Sequence, residues 1–153
     1  MSLQLEFPLS TSKLKEWVPH RPPMVWVDEV LSVESTSAKC RVLMEETRPF
    51  YESPSKIRPS VLVEWMAQAF AYSAICRQLM NVGTPTPIRR AFLVGIAGAK
   101  FDMTAWDAKG KSVFVSVETV RELAPLVLFR GTVTNEDGRT LSTASLKVYV
   151  ERR

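Results

Sequence analysis

Glu64 lies inside the run IRPSVLVEWMAQAFAYSA (57–74), an otherwise apolar stretch with helical spacing. A carboxylate there is placed for proton transfer or is an ill-fitting surface acid. In apolar surroundings its pKa is expected to be pushed up, which suits a group that gives a proton near neutral pH. The alternative is an acid in the first helical turns, drawn by the macrodipole and solvated. Its neighbours Val61, Val63, Trp65 and Met66 are all apolar, which favours the working role. Gln68 follows at i+4 and shares the face of Glu64. His20 is the only histidine, so any imidazole chemistry falls to it. The alternative is that a His-Arg pair in a proline-braced loop hydrogen-bonds the neighbouring strand. The backbone N–H groups of Ser60 and Val61 lie at the helix start, where unpaired donors and the positive end of the dipole converge. The Ser60 hydroxyl is expected to cap that helix.

These groups need elements to hold them. Ser60 to Met80 carries apolar or small residues at 62, 65, 66, 69, 72, 73, 76, 79 and 80, a spacing that predicts one helix, with its start set at about residue 59. At 1.5 Å per residue it is about 30 Å long, and Gly83 with the prolines beyond marks its end. Upstream, TSKLKEWVPHRPPM predicts a short helix capped at Thr11 or Ser12 and halted by Pro19, Pro22 and Pro23. MVWVDEVLSVES and AKCRVLME alternate and predict a hairpin. TRPFYESPSKIRP carries three prolines and is expected to be loop throughout. From residue 91 the chain reads as three or four long strands, with EDG at 136–138 as a hairpin turn. One apolar helix beside five or six antiparallel strands buries itself only if the sheet wraps it. The expected fold is an α+β roll around a central helix.

The bulk properties narrow the function. At 153 residues and 46% hydrophobic, the chain supports a single domain over 1–153. Its opening MSLQLEFPLS does not read as a secretory signal, and a cytoplasmic location is expected. Val61 to Met80 carries Glu64, Gln68, Arg77 and Gln78, a costly set in lipid, so no membrane span is expected. Cys40 and Cys76 lack metal or redox spacing and are expected as buried thiols, with no metal site. A net charge of +4, scattered apart from Arg89-Arg90 and Arg152-Arg153, gives no nucleic-acid stripe and fits an acidic protein partner equally well. GIAG at 95–98 lacks nucleotide-loop spacing, and no GxSxG elbow is present.

Three motifs in order carry a family resemblance. WVPHRPPMVWVDEVLSVE resembles the LPHRxPxLLVDRV opening of the 3-hydroxyacyl-acyl-carrier-protein dehydratases, enzymes with the hot-dog fold. RPSVLVEWMAQAFAYSA resembles their FPGVLxxEAMAQ central helix, and FLVGIAGAKF their FAGIDxARF strand. Together these matches span most of the chain from Trp17 to Phe101. The resemblance implies a homodimer joined sheet edge to sheet edge, with active sites at the dimer interface, so that His20 and Glu64 are sought facing each other across it. It implies a substrate carried on the phosphopantetheine arm of an acidic acyl carrier protein, and no separate cofactor.

The family's loop histidine, in GHFPxxPxFPG, has no counterpart in PFYESPSKIRPS, and its glycine after the proline is Ser60. A branch of dehydratases associated with aryl polyene pigment clusters, with an LPHxxPM opening and an EMMAQ helix but no loop histidine, is similar to VPHRPPM and VEWMAQ. Dehydration needs a base for the C2 proton, an acid for the departing hydroxyl and donors at the thioester oxygen. Glu64 matches the family's catalytic carboxylate and is assigned the acid, with His20 as base. Ser60 and Val61 supply N–H donors, and Gln68 and Tyr51 are substrate-binding candidates, with Glu52 beside Tyr51 in the same loop. Arg58, Arg89, Arg90 and Lys100, together with Lys56, are candidates for the carrier protein, against the alternative of plain surface charges. Two other functions stay open: a hot-dog thioesterase using the helix carboxylate to activate water, and a non-catalytic acyl-binding subunit that completes a heterodimer with a paralogue.

Overall fold

In a computed structural model the chain is described over residues 2–45, 47–53, 56–107 and 110–152. The strands in chain order are β1 (Leu9–Ser10), β2 (Glu29–Val33), β3 (Ser37–Leu43), β4 (Tyr51–Ser53) and β5 (Lys56–Ile57). After the helix α1 (Pro59–Val82) come β6 (Ile88–Phe101), β7 (Ser112–Leu123), β8 (Leu126–Thr134) and β9 (Thr140–Arg152). The main sheet is antiparallel, in the order β1-β2-β3-β7-β8-β9-β6. This is the expected roll of one long helix against a large sheet, with seven strands rather than five or six because the two-residue β1 joins one edge.

Alternation makes the inner face of that sheet. Ala38, Cys40 and Val42 of β3, Val113, Val115 and Val117 of β7, and Val127, Phe129 and Val133 of β8 are all buried. They point at α1, whose Leu62, Trp65, Met66, Ala69 and Ile75 have no exposed surface. Gly131 completes the β8 series, and a Cβ there would lie 2.9 Å from the Met66 Cβ, so the missing side chain is what lets the helix lie close to the sheet. At the far end of α1, Gly83 adopts φ 77° and returns its N–H to the Leu79 carbonyl at 3.0 Å.

Four expectations are corrected. The upstream helix is one 3₁₀ turn, Thr11–Leu14, capped by Ser10 rather than by Thr11 or Ser12. Thr11 is buried instead, its hydroxyl donating to the Val27 carbonyl at 2.7 Å. The strand read from MVWV starts only at Glu29, because the Trp26 and Val27 N–H groups are taken by the Gln68 side chain instead of a neighbouring strand. The proline-containing loop also holds a two-stranded ribbon, β4 with β5, whose Pro49 and Pro59 fall outside the paired residues. Its Pro54 and Ser55 lie outside the described residues, as does Arg153.

The last strand in spatial order, β6, leaves one edge of the sheet unpaired among the described residues. Phe92, Leu93, Val94, Ile96 and Phe101 along it are exposed. Among the described residues no helix is long and apolar enough to cross a membrane. Both cysteines are free and buried, as the sequence suggests.

Candidate active site

The loop from Val18 to Val27 crosses the first turns of α1, and among the side chains that tie it down two act next to His20 and Glu64. Arg21 donates from Nη1 to the carbonyls of Val18 and His20, each at 2.8 Å. Gln68, with no exposed surface, accepts from the N–H groups of Trp26 (2.9 Å) and Val27 (3.3 Å) and donates to the Met24 carbonyl (2.8 Å). Its remaining N–H goes to Glu64 Oε1 at 2.9 Å. The amide thus makes two donated and two accepted bonds, its full capacity. Gln68 joins the loop that carries His20 to the helix that carries Glu64, and no donor is left over for a ligand.

His20 Nε2 lies 3.7 Å from Glu64 Oε1 in the same chain. The pair expected to meet across a dimer interface is therefore assembled within one protomer, because the Gln68 bonds hold the loop over its own helix while those of Arg21 brace the loop internally. His20 Nδ1 is buried with no hydrogen-bond partner among the described residues. The imidazole packs beside Tyr72, with ring centroids 6.2 Å apart. Burial pushes the Tyr72 hydroxyl up to about 12.

Glu64 departs from expectation in the direction of its shift. Burial works to raise its pKa, but the facing His20 imidazole and the Gln68 amide outweigh it, and the carboxyl is held below its ordinary value of 4.5. Apolar sequence neighbours misled here because Val61, Val63, Trp65 and Met66 face the core, whereas Glu64 faces two polar groups brought in from elsewhere. The carboxylate form is the one the site stabilises.

Both members of the pair line a cavity of about 160 Å³, walled by Ala67, Phe70 and Ala71 of α1, Ile88 and Leu93 of β6, and Val148 of β9. Beside it, sharing Ile88, is a polar cleft of about 400 Å³ lined by Arg21, Arg89 and Glu16. The 2.8 Å bond from the Ile88 N–H to the Trp17 carbonyl fastens this corner.

The other candidates fall elsewhere. Ser60 is the second residue of α1, exposed and one turn before Glu64 on the same face. It does not cap the helix: Arg58 is the cap residue, without a side-chain capping bond, and Pro59 opens the helix. The Val61 N–H is bonded to the Arg58 carbonyl at 3.0 Å. Tyr51 sits in β4 with its ring against Phe50 at 5.2 Å, outside the cavity lining. Glu52 lies 3.6 Å from Arg58 and 3.5 Å from Lys56, and Arg89 lies 3.4 Å from Glu151. Arg90 and Lys100 are exposed on β6. Among the described residues no group of three or more His, Cys, Asp or Glu is placed to hold a metal ion.

Sequence reasoning missed the clamping role of Gln68, for which a glutamine inside an apolar helix was the available signal, since a buried amide demands partners. The loop-holding alternative read for the His-Arg pair holds for Arg21, except that its bonds go to carbonyls of its own loop and not to a strand.

A family model described as ApeP-like, ApeP dehydratase, matches residues 12–152. The FabZ 3-hydroxyacyl-acyl-carrier-protein dehydratase of Exiguobacterium sibiricum is 30% identical over 144 residues, covering 91% of this chain and 96% of the relative. That of an Anaeromyxobacter species is 30% identical over 152 residues, covering 95% and 92%. Among solved structures, the dehydratase heterocomplex ApeI:P of Xenorhabdus doucetiae superposes with a TM-score of 0.80 at 19% identity, covering 94% of this chain and 91% of that one.

Proposed function

Because the chain belongs to the ApeP-like dehydratase family, we propose that it is a lyase that removes water from 3-hydroxyacyl groups delivered as thioesters by acyl carrier protein. The observation that carries this reading is the His20–Glu64 pair, 3.7 Å apart at one apolar cavity. With Glu64 held as carboxylate, its role shifts from the acid inferred from the sequence to the base. Glu64 takes the C2 proton, and the C2–H electrons form the C2–C3 double bond as the C3–O bond breaks. His20, acting as the acid, gives a proton to the departing hydroxyl, which leaves as water. The proton on Glu64 then passes to His20, restoring the pair. General acid–base groups of this kind contribute about 10²–10⁴-fold each.

Ser60, one turn ahead of Glu64, offers a backbone N–H at the positive end of α1 to the thioester oxygen. Gln68 acts as a positioning residue. The cleft with Arg21 and Arg89 suits the phosphate of a pantetheine arm, and the exposed Arg90, Lys100 and Arg58 suit an acidic carrier. On this reading the reaction needs no further cofactor, as the family resemblance implies, and runs in the cytoplasm.

The exposed apolar edge of β6 supports association with a second subunit through that strand. A homodimer satisfies it, and so does a paralogue. The ApeI:P relative, a heterocomplex, favours keeping the second option.

Incubation of the purified protein with 3-hydroxyacyl and 2-enoyl carrier-protein thioesters tests the reading. Interconversion is expected, reduced by about 10²-fold or more in Glu64→Gln and in His20→Gln. An undiminished rate in Glu64→Gln refutes the mechanism. Release of free acid instead indicates a thioesterase, and activity that appears only on mixing with a paralogue indicates a partner subunit.

A further inference from the structure

The cavity beside His20 and Glu64 is followed along α1 by a second one of about 370 Å³, whose lining includes Ala74, Arg77 and Gln78 of α1, Glu122 of β7 and Arg152 of β9. Residues 64, 67, 71, 74 and 78 recur at steps of three and four, so one stripe of the helix floors both. The two cavities share Phe70 and Val150. Ala67, Ala71 and Ala74 keep the floor of this trough low. Phe70 is the one large apolar side chain of α1 that lines it. Its ring is stacked on Phe129 of β8 with centroids 4.5 Å apart and planes within 7°, an arrangement that holds it in place as a wall.

We propose that Phe70 is a specificity-determining residue that ends the acyl compartment and sets the length of chain the site accepts. It stands about 9 Å beyond Glu64 along the helix axis, the reach of a short acyl group, whereas the trough extends about 20 Å to Arg77. The far compartment adds a second barrier to alkyl tails. Arg77 is held there by the carbonyls of Glu34 and Ser37, and Arg152 by that of Thr86. An alkyl chain passing Phe70 would strip water from both guanidinium groups without replacing it.

The inference rests on the acyl-thioester reading above, and its test separates the two. Binding of butyryl-, octanoyl- and dodecanoyl-pantetheine to the purified protein is measured by calorimetry, beside turnover of the matching 3-hydroxyacyl carrier-protein thioesters. The unmodified protein is expected to favour butyryl over dodecanoyl by about tenfold or more, the scale on which a pocket rejects excess methylenes. Phe70→Ala is expected to move the dodecanoyl-to-butyryl ratio upward by about tenfold or more. Because loss of a buried ring can unfold a chain, Phe70→Leu is measured in parallel, with circular dichroism on both, and should shift the ratio the same way by less. Equal affinity of the unmodified protein for all three lengths overturns the role of Phe70 while leaving the acyl site standing, and so does an unchanged length profile in the folded variants. If no acyl chain of any length binds or turns over, both readings fail together.

Discussion

Replacing Gln68 by leucine tests whether one buried amide holds the two halves of the site together. Leucine fills a similar volume, so little cavity is left, and the loss falls on the groups the amide had satisfied. Those are the Trp26 N–H at 2.9 Å, the Met24 carbonyl at 2.8 Å, the Val27 N–H at 3.3 Å and the Glu64 carboxylate at 2.9 Å. A buried backbone group stripped of its partner costs about 1–3 kcal/mol. Met24 is exposed, so its carbonyl recovers water at a fraction of that penalty, and the long Val27 contact is weak to begin with. The remaining cost is about 2–4 kcal/mol, a sizeable share of the roughly 5–15 kcal/mol that holds a domain folded.

Urea unfolding should therefore show a lower midpoint at an unchanged slope. Turnover should fall by about 10²-fold, the consequence of a misplacement of order 1 Å between His20 and Glu64. Gln68→Glu keeps the shape but puts a second carboxyl against Glu64 in place of a donor, so one of the two must hold a proton. Its loss of activity should deepen as pH rises. A Gln68→Leu protein within about 0.5 kcal/mol of the parent, a shift typical of surface sites, and with turnover intact, refutes the clamp.

Gly131→Ala drives a Cβ to 2.5 Å from the Met66 sulfur and 2.9 Å from its Cβ, and is expected to cost about 1–3 kcal/mol of stability in denaturant melts. Glu64 is held below its ordinary 4.5, so the stability it contributes is present above that pH and is lost as pH falls through the lower folded value. The stability gap between the parent and Glu64→Gln should accordingly narrow on acidification below 4.5, as followed by urea melts across pH, and the acid limb of turnover due to Glu64 should lie below it. Burial raises both thiols, Cys76 to about 12, so Ellman's reagent should leave the native protein unlabelled near neutral pH and react fully once urea unfolds it.

The central helix and the alternating strands were legible because they are written in local periodicity. Leu62, Trp65, Met66 and Ala69 recur at helical spacing, Val113, Val115 and Val117 at strand spacing, and burial follows both patterns. His20 and Glu64 were legible as types, one a unique imidazole and the other a charge in an apolar run. Their relation was not. Forty-four positions separate them, and the distance is set by bonds the fold makes around the loop, among them those of Gln68 to the loop and helix and of Arg21 within the loop.

The ionisation of Glu64 was likewise a tertiary decision. Sequence neighbours on a helix point in different directions, so the apolar residues beside Glu64 in the chain are not those around it in space. Desolvation is nearly a property of composition, whereas the partners that overcome it arrive from distant segments. The residues fold and type could be read from order alone. Which proton sits where, which side chain is spent on holding a loop, and where Phe70 closes the trough depended on distances that only the folded chain defines.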